Sequence, residues 1–164
     1  MACRVRFRRY VWAMLVTNHV LSGALIGTKA RGPGQAFALG VASHFALDAV
    51  PHWGDWRDRQ HFLHVAVRDG LTGLAVMGAI TAMTPPGRRL NVLAGMAGAA
   101  LPDADKPCRL VFGRSPWPGF VNRFHAEIQR ESLTWAPVEA TAAAVFGAAA
   151  LTTLLLSRRL RART

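Results

Sequence analysis

The sequence predicts an all-α protein, a polytopic membrane helical bundle of four or five apolar helices, some short or broken, with a short amphipathic helix near 121–131. Three observations carry this expectation. Apolar residues make up 51% of the 164 residues against 18% charged, with a mean hydropathy of +0.18. The apolar residues gather into five segments bounded by Pro, Gly or charge. No stretch shows the period-2 alternation of β-branched residues that marks a strand. The chain is too apolar for a disordered one. Its length suits a single membrane-embedded domain, 1–164, with basic tails at 1–10 and 158–164.

The first segment, 11–28, follows Arg4, Arg6, Arg8 and Arg9. A basic start before an apolar run resembles a signal peptide. Asn18 and His19 interrupt the run and no clean small-x-small cleavage site stands out, so it reads as a retained helix. The second segment, 35–50, begins after the breaker Arg31-Gly32-Pro33-Gly34, and the third, 69–83, stops at Pro85-Pro86-Gly87. The fourth, 90–101, stops at Pro102, and the fifth, 135–157, runs into Arg158, Arg159, Arg161 and Arg163.

A bilayer core takes about 20 helical residues. The fifth segment reaches that length, as does the first with its flanks. The fourth would span only ~18 Å. Helices that short end in a locally thin membrane or against a protein-lined polar cavity. Small residues suit close packing in lipid: Gly23 and Gly27 as G-x-x-x-G, an Ala38, Ala42, Ala46 stripe, and Gly95 with Gly98. The rival is a small soluble helical protein, which would have to bury five nearly uninterrupted apolar segments.

Twenty Lys and Arg against nine Asp and Glu give a net charge of +11. Such a charge suits nucleic acid or an anionic membrane surface. The arginines are dispersed among loops and tails without an aromatic-interleaved patch, so the expected partners are membrane lipids with anionic headgroups, not nucleic acid. Cys3 and Cys108 form no C-x-x-C spacing, which excludes a cysteine metal site. If all five segments cross, all six histidines and all nine carboxylates lie on or toward one face. That face carries 12 Lys and Arg against 8 on the other, which by the positive-inside rule turns it to the cytoplasm.

Carboxylates and imidazoles retained at helix depth usually pair or bind an ion. His44 and Asp48 stand at i, i+4 on one helix face, and Pro51 ends that helix before His52. These donors suit zinc, and also manganese or iron. Asp103 and Asp105, spaced P-D-x-D, can grip one cation or bridge two. Plainer roles exist for each residue: a His–Asp hydrogen bond for His44 and Asp48, packing for His19, a helix-dipole acid for Asp69, an Asx turn for Asp103 and Asp105, and an interfacial helix for His125. His125 and Gln129 share a face of the short amphipathic helix. His61 and His64, preceded by Asp55, Arg57, Asp58 and Arg59, read as part of a solvated loop.

These motifs form a series: H-x-x-x-G-x-x-x-G from His19, S-H-x-x-L-D-x-x-P-H-W from Ser43, Asp69-Gly70, Leu101-Pro102-Asp103, and F-H-x-x-I-Q from Phe124. The series resembles a family of small bacterial integral membrane proteins related to predicted membrane-bound metal-dependent hydrolases, which are distantly similar to zinc-dependent phospholipase C. The resemblance implies a multi-pass protein of the bacterial cytoplasmic membrane, with His19, His44, Asp48, His52, Asp69, Asp103 and His125 around a divalent metal. The chain departs from the family pattern at Lys106, where the better-known branch has His, and after His125, where no second histidine follows.

The expected function is hydrolysis of a lipid phosphoester by a metal-activated water. His19, His44, Asp48, Asp69 and Asp103 would hold the metal, Asp105 or His52 would act as general base, and His125 would protonate the leaving group. Arg109, Arg114 and Arg123 would attract a phosphate headgroup. The alternatives are a non-catalytic membrane scaffold or partner-binding protein with a structural metal or His/Asp network, and an ion or proton pathway, which would need a homo-oligomer.

Overall fold

The computed structural model describes residues 15–54 and 59–161. The basic start, Cys3, and the acids Asp55 and Asp58 lie outside the described residues. The chain is helical, in the order α1 (Val16–Lys29), α2 (Pro33–Asp48), α3 (Arg59–Met83), α4 (Pro86–Ala100), a 3-10 turn (Leu101–Ala104), α5 (Asp105–Phe112), α6 (Gly119–Ile128) and α7 (Ala136–Arg161). The local sequence sets the boundaries. Pro33 and Pro86 open α2 and α4 at the first helical position, where a missing N–H is no loss. The Thr84 backbone N–H and hydroxyl both donate to the Ile80 carbonyl and close α3 before Pro85. Gly113, at φ 70°, closes α5 in the left-handed conformation that favours glycine.

Several elements depart from expectation, among them α5, which the sequence does not predict. α3 begins at Arg59, ten residues before the expected start, so His61 and His64 lie on a helix and not in a loop. A pair of two-residue strands, β1 (His52–Trp53) and β2 (Glu131–Ser132), runs parallel with His52 opposite Glu131, although the sequence predicts none. So short a ladder has no periodicity to read.

α4 is central and packs on both α1 and α2, while α3 and α7 flank α1. Glycine permits that packing. A Cβ on Gly95 would collide with the backbone oxygen of Gly23, and one on Gly98 with that of Phe37. The expected G-x-x-x-G contact is therefore present. The expected stripe of Ala38, Ala42 and Ala46 instead faces outward. The buried stripe of α2 is Ala36, Gly40, His44 and Asp48, also at i+4 spacing. Small residues and polar ligands thus share the single inward face.

The bundle is polar within and apolar without. Asn18, His19, Ser22, His44, Asp48, His52, Asp103, His125 and Glu139 are buried, while Leu71, Leu74, Leu90, Val111, Phe112 and Phe120 are exposed. The apolar core is small: Val20, Leu21, Ala24, Ile80, Val92, Met96 and Leu154. Two helical stretches are long and apolar enough to cross a membrane, Leu63–Met83 and Leu133–Leu156, with only 11% and 17% of their windows buried. α1, α2 and α4, at 14, 16 and 15 residues, are shorter than a bilayer core requires.

The bundle has two distinct ends. At one, Arg88 and Asn91 from the start of α4 donate to the Ala30 carbonyl between α1 and α2. At the other stand the first turn of α1, the last turn of α2 and the 3-10 turn after α4, which bring the histidines and carboxylates together.

Candidate metal centre

Three elements deliver four side chains to one point. The inward stripe of α2 carries His44 and Asp48. Pro102 lacks an N–H, and α4 tightens there into the 3-10 turn that carries Asp103. The Pro102 carbonyl accepts from Trp117 Nε1 at 2.9 Å, tying the loop before α6 to that turn. α6 then presents His125, with Gln129 just past its end. One ligand atom from each of His44, Asp48, Asp103 and His125 lies within 4.8 Å of the others, and all four residues are buried.

His44 Nδ1 lies 2.7 Å from the Ala99 carbonyl, which can only accept, so Nδ1 carries a proton. Nε2 of His44 then faces Asp48 Oδ2 at 3.2 Å, Asp103 Oδ1 at 3.7 Å and His125 Nε2 at 3.0 Å. His125 Nε2 in turn lies 2.7 Å from Asp48 Oδ2 and 3.6 Å from Asp103 Oδ1. Lone pairs so crowded repel unless protons or a cation lie between them.

The donor set fits a divalent cation. A tetrahedral ion with bonds of about 2.1 Å has ligand–ligand edges of about 3.4 Å. The five separations above, 2.7–3.7 Å, bracket that value. Two carboxylates balance a charge of +2. The His44 Nδ1–H bond to a backbone carbonyl is the outer contact that usually orients a metal-bound histidine.

A third imidazole adjoins the group. His19 is fully buried and stacks on His44, and its Nε2 lies 3.2 Å from Asp48 Oδ1. Neither ring nitrogen of His19, nor Asp48 Oδ1, has a hydrogen-bond partner among the described residues. Buried polar atoms left in this state are uncommon, and an ion or water is the usual reason. Gln129 Nε2 donates to Asp48 Oδ2 at 3.2 Å. Phe45 packs edge-on against the rings of His44 and His125.

Lys106, one helical turn beyond Asp103, places its ammonium on Asp103 Oδ1, the oxygen that faces the two histidines. Burial pushes the Asp103 carboxyl up, but Lys106, then His44 and His19, outweigh it and hold the group below the usual carboxylate range. Burial likewise opposes the Lys106 charge, and Asp103 more than restores it.

The remaining expected site residues lie elsewhere. Asp69 is not in the group: its carboxylate accepts from Val16 N at 2.6 Å, Thr17 N at 3.2 Å and Thr17 Oγ1 at 2.6 Å, capping α1 from a neighbouring helix. Exposed helix-start N–H groups and the positive end of the helix dipole account for that placement. His52 is turned away from the four: Nδ1 donates to the Val50 carbonyl at 2.7 Å and Nε2 lies 3.7 Å from Glu131 Oε1. Asp105 pairs with Arg109 Nε at 3.3 Å, and its other oxygen is buried without a partner among the described residues. His125, expected as a proton donor, stands among the four candidate metal donors.

Sequence reasoning passed over Lys106 as a site residue, and also Glu131 and Glu139. Glu139 Oε1 accepts from Leu15 N and Asn18 Nδ2 at 2.9 and 2.8 Å, so two distant carboxylates, Asp69 and Glu139, meet the start of α1. Lys106 could have been found from its i+3 spacing to Asp103. Nothing in the spacing marks Glu131, which only the β1–β2 ladder brings beside His52.

Comparison of the chain with protein-family models, with curated proteins and with solved structures gives no match in any of the three, so the reading of this centre rests on its donors and their geometry.

Proposed function

We propose that the chain is a multi-pass integral membrane hydrolase that holds one divalent ion through His44, Asp48, Asp103 and His125 and acts on a lipid phosphoester. The observation that carries this reading is the convergence of four buried donors from three elements, beside orphaned atoms of His19 and Asp48. Zinc suits two imidazoles and two carboxylates, and manganese or iron would also be accepted.

The membrane part rests on the inverted polarity of the bundle. α3 and α7 carry the two spans, with α1, α2 and α4 packed beside them as shorter helices ending at a buried polar centre. By charge, the centre faces the cytoplasm of a bacterial cell. Around it, α5 and α6 expose Leu110, Val111, Phe112, Phe120 and Phe124 together with Arg109, Arg114 and Arg123. Apolar side chains flanked by arginines suit the headgroup layer of an anionic membrane.

A divalent ion at this centre supplies Lewis acidity, polarising a phosphoryl oxygen and lowering the pKa of water toward ~7. The chain's own residues do the rest. His44, its Nδ1–H held by the Ala99 carbonyl, turns Nε2 to the centre, and Gln129 Nε2 donates to Asp48 Oδ2 beside it. Asp105, two residues from Asp103, has a buried oxygen available to take a proton. Arg109, Arg114 and Arg123 draw the anionic headgroup.

A second reading has its own support. Four protein donors complete a tetrahedral shell, as in structural sites, whereas catalytic sites usually keep one position open. A closed centre would make the chain a metal-stabilised scaffold. The experiment is elemental analysis of purified protein and its Asp48→Asn variant, followed by phosphate release from phosphatidic acid in mixed micelles. One metal ion per chain, lost in the variant, with metal-dependent phosphate release supports the hydrolase. Metal without turnover on any lipid phosphoester supports the scaffold, and protein without metal overturns both.

A further inference from the structure

Among the described residues, Lys106 brings an ammonium to the centre. It extends from the first turn of α5, one helical turn past Asp103, and its ammonium rests on Asp103 Oδ1. The same oxygen lies 3.7 Å from His44 Nε2 and 3.6 Å from His125 Nε2, so ammonium and incoming metal would address one atom. The Lys106 side chain is 21% exposed and that of Asp103 9%, which leaves the pair weakly screened.

We propose that Lys106 is a tethered second cation: it holds the centre to a single metal ion and gives the loaded centre a net charge of +1, which draws an anion of the phosphate class. This inference rests on the metal reading above. The charge balance is direct. Asp48 and Asp103 contribute two negative charges, cancelled by one divalent ion, with neutral histidines. Asp105, which also acts on Lys106, is paired with Arg109 at 3.3 Å, so the ammonium remains as surplus. A second divalent ion would meet an uncompensated like charge and would have to displace the ammonium from Asp103. An anion at the edge of the centre meets both the ion and Lys106 Nζ, the arrangement used for charge-assisted recognition of phosphoryl oxygens. A surface lysine paired for solubility alone would not share its carboxylate oxygen with two buried imidazoles.

The test is titration of metal-free protein with zinc chloride by calorimetry, for wild type, Lys106→Met and Lys106→Arg. The expected result is one ion in wild type, affinity at least about tenfold higher or a second bound ion in Lys106→Met, and wild-type behaviour in Lys106→Arg, because like charges at this range oppose each other strongly. Inorganic phosphate titrated into the zinc-loaded proteins should bind at least about tenfold more weakly to Lys106→Met than to wild type. If Lys106→Met does not fold, Lys106→Gln carries the same comparison. A single bound zinc ion in the neutral variant at equal or weaker affinity, or phosphate affinity unchanged by it, overturns the proposal while leaving the metal centre standing. If neither wild type nor the neutral variant binds zinc, the metal reading itself fails. Zinc binding by the neutral variant alone supports the inference.

Discussion

His19 stacks on His44 with ring centroids 4.0 Å apart and an interplanar angle of 28°, and it turns Nε2 toward Asp48 Oδ1 without forming a hydrogen bond. The two rings come from different helices. α1 thus backs the α2 ligands with an imidazole, where an apolar side chain would fill the space at lower desolvation cost. This separates the effects of His19 on stability and on metal binding. In His19→Phe the stacking survives, and a buried imidazole that has only the 3.2 Å contact with Asp48 Oδ1 is removed. The metal-free protein is expected to gain about 1–3 kcal/mol, the usual penalty of such a group. Zinc affinity is expected to fall by about 10–100-fold, as when an outer contact of a metal ligand is lost. Thermal denaturation in chelator and zinc titration check the two signs. Unchanged zinc affinity would reduce His19 to packing.

Asp69→Ala tests the reassignment of that carboxylate. The variant loses the acceptor for Val16 N, Thr17 N and Thr17 Oγ1. A cost of about 1–2 kcal/mol follows, as for other helix N-caps. Metal content per folded chain is expected to stay at the wild-type value. Metal loss with the fold intact would return Asp69 to the centre.

Gly95→Ala tests the close approach of α1 and α4. Its Cβ would meet backbone atoms of Gly23, which cannot rotate away, so a loss of about 1–3 kcal/mol or more is expected. Gly78→Ala on α3, with no atom within 4 Å of the new Cβ, is expected to be neutral or to gain about 0.5–1 kcal/mol. Detergent-solubilised melting curves of the two variants give the comparison. Equal melting temperatures would mean that the helices pack less closely than described.

The His52–Glu131 pair predicts a pH dependence. Burial opposes the imidazolium, but Glu131, the Val50 carbonyl and Asp48 outweigh it and raise the His52 pKa above the usual histidine value. A raised histidine pKa contributes stability that is fully present below the unfolded value and is lost as pH rises through the folded one. In chelator, the melting temperature of the wild type is expected to fall across that window. His52→Gln should flatten this part of the profile. A variant with the same slope would remove His52 as the source.

The sequence made the helices legible where an apolar face ran long enough to be seen. α1, α2, α4 and α7 fall close to the apolar segments that announce them. The first ten residues of α3 did not announce themselves, because the stretch around Arg59, His61, His64 and Arg68 carries too much polarity for an apolar segment. α5 was hidden by Pro107, which reads as a breaker, but it sits in the first turn, where proline removes no helical hydrogen bond. Within the centre, His44 and Asp48 were legible from i+4 spacing on one helix. Asp103 was legible as a cation ligand from its P-D-x-D spacing with Asp105 and His125 as a member of the motif series, but no spacing joins them to His44 and Asp48, since their approach depends on the 3-10 turn and on the Trp117 bond. Asp69 misled because a carboxylate near an apolar segment says nothing of which helix start it will reach.

One inward stripe of α2, Ala36-Gly40-His44-Asp48, both seats the helix against α4 and carries half of the donors. A rotation of α2 by a few degrees, or a slide of less than an ångström, would therefore reach the donor atoms undiminished, with no flexible linker to absorb it. On the proposed metal reading, ion selectivity would therefore depend on how α2 docks against α4. If the chain spans a membrane as proposed, strain on the bundle from bilayer thickness or lateral pressure would reach the spacing of these four donors.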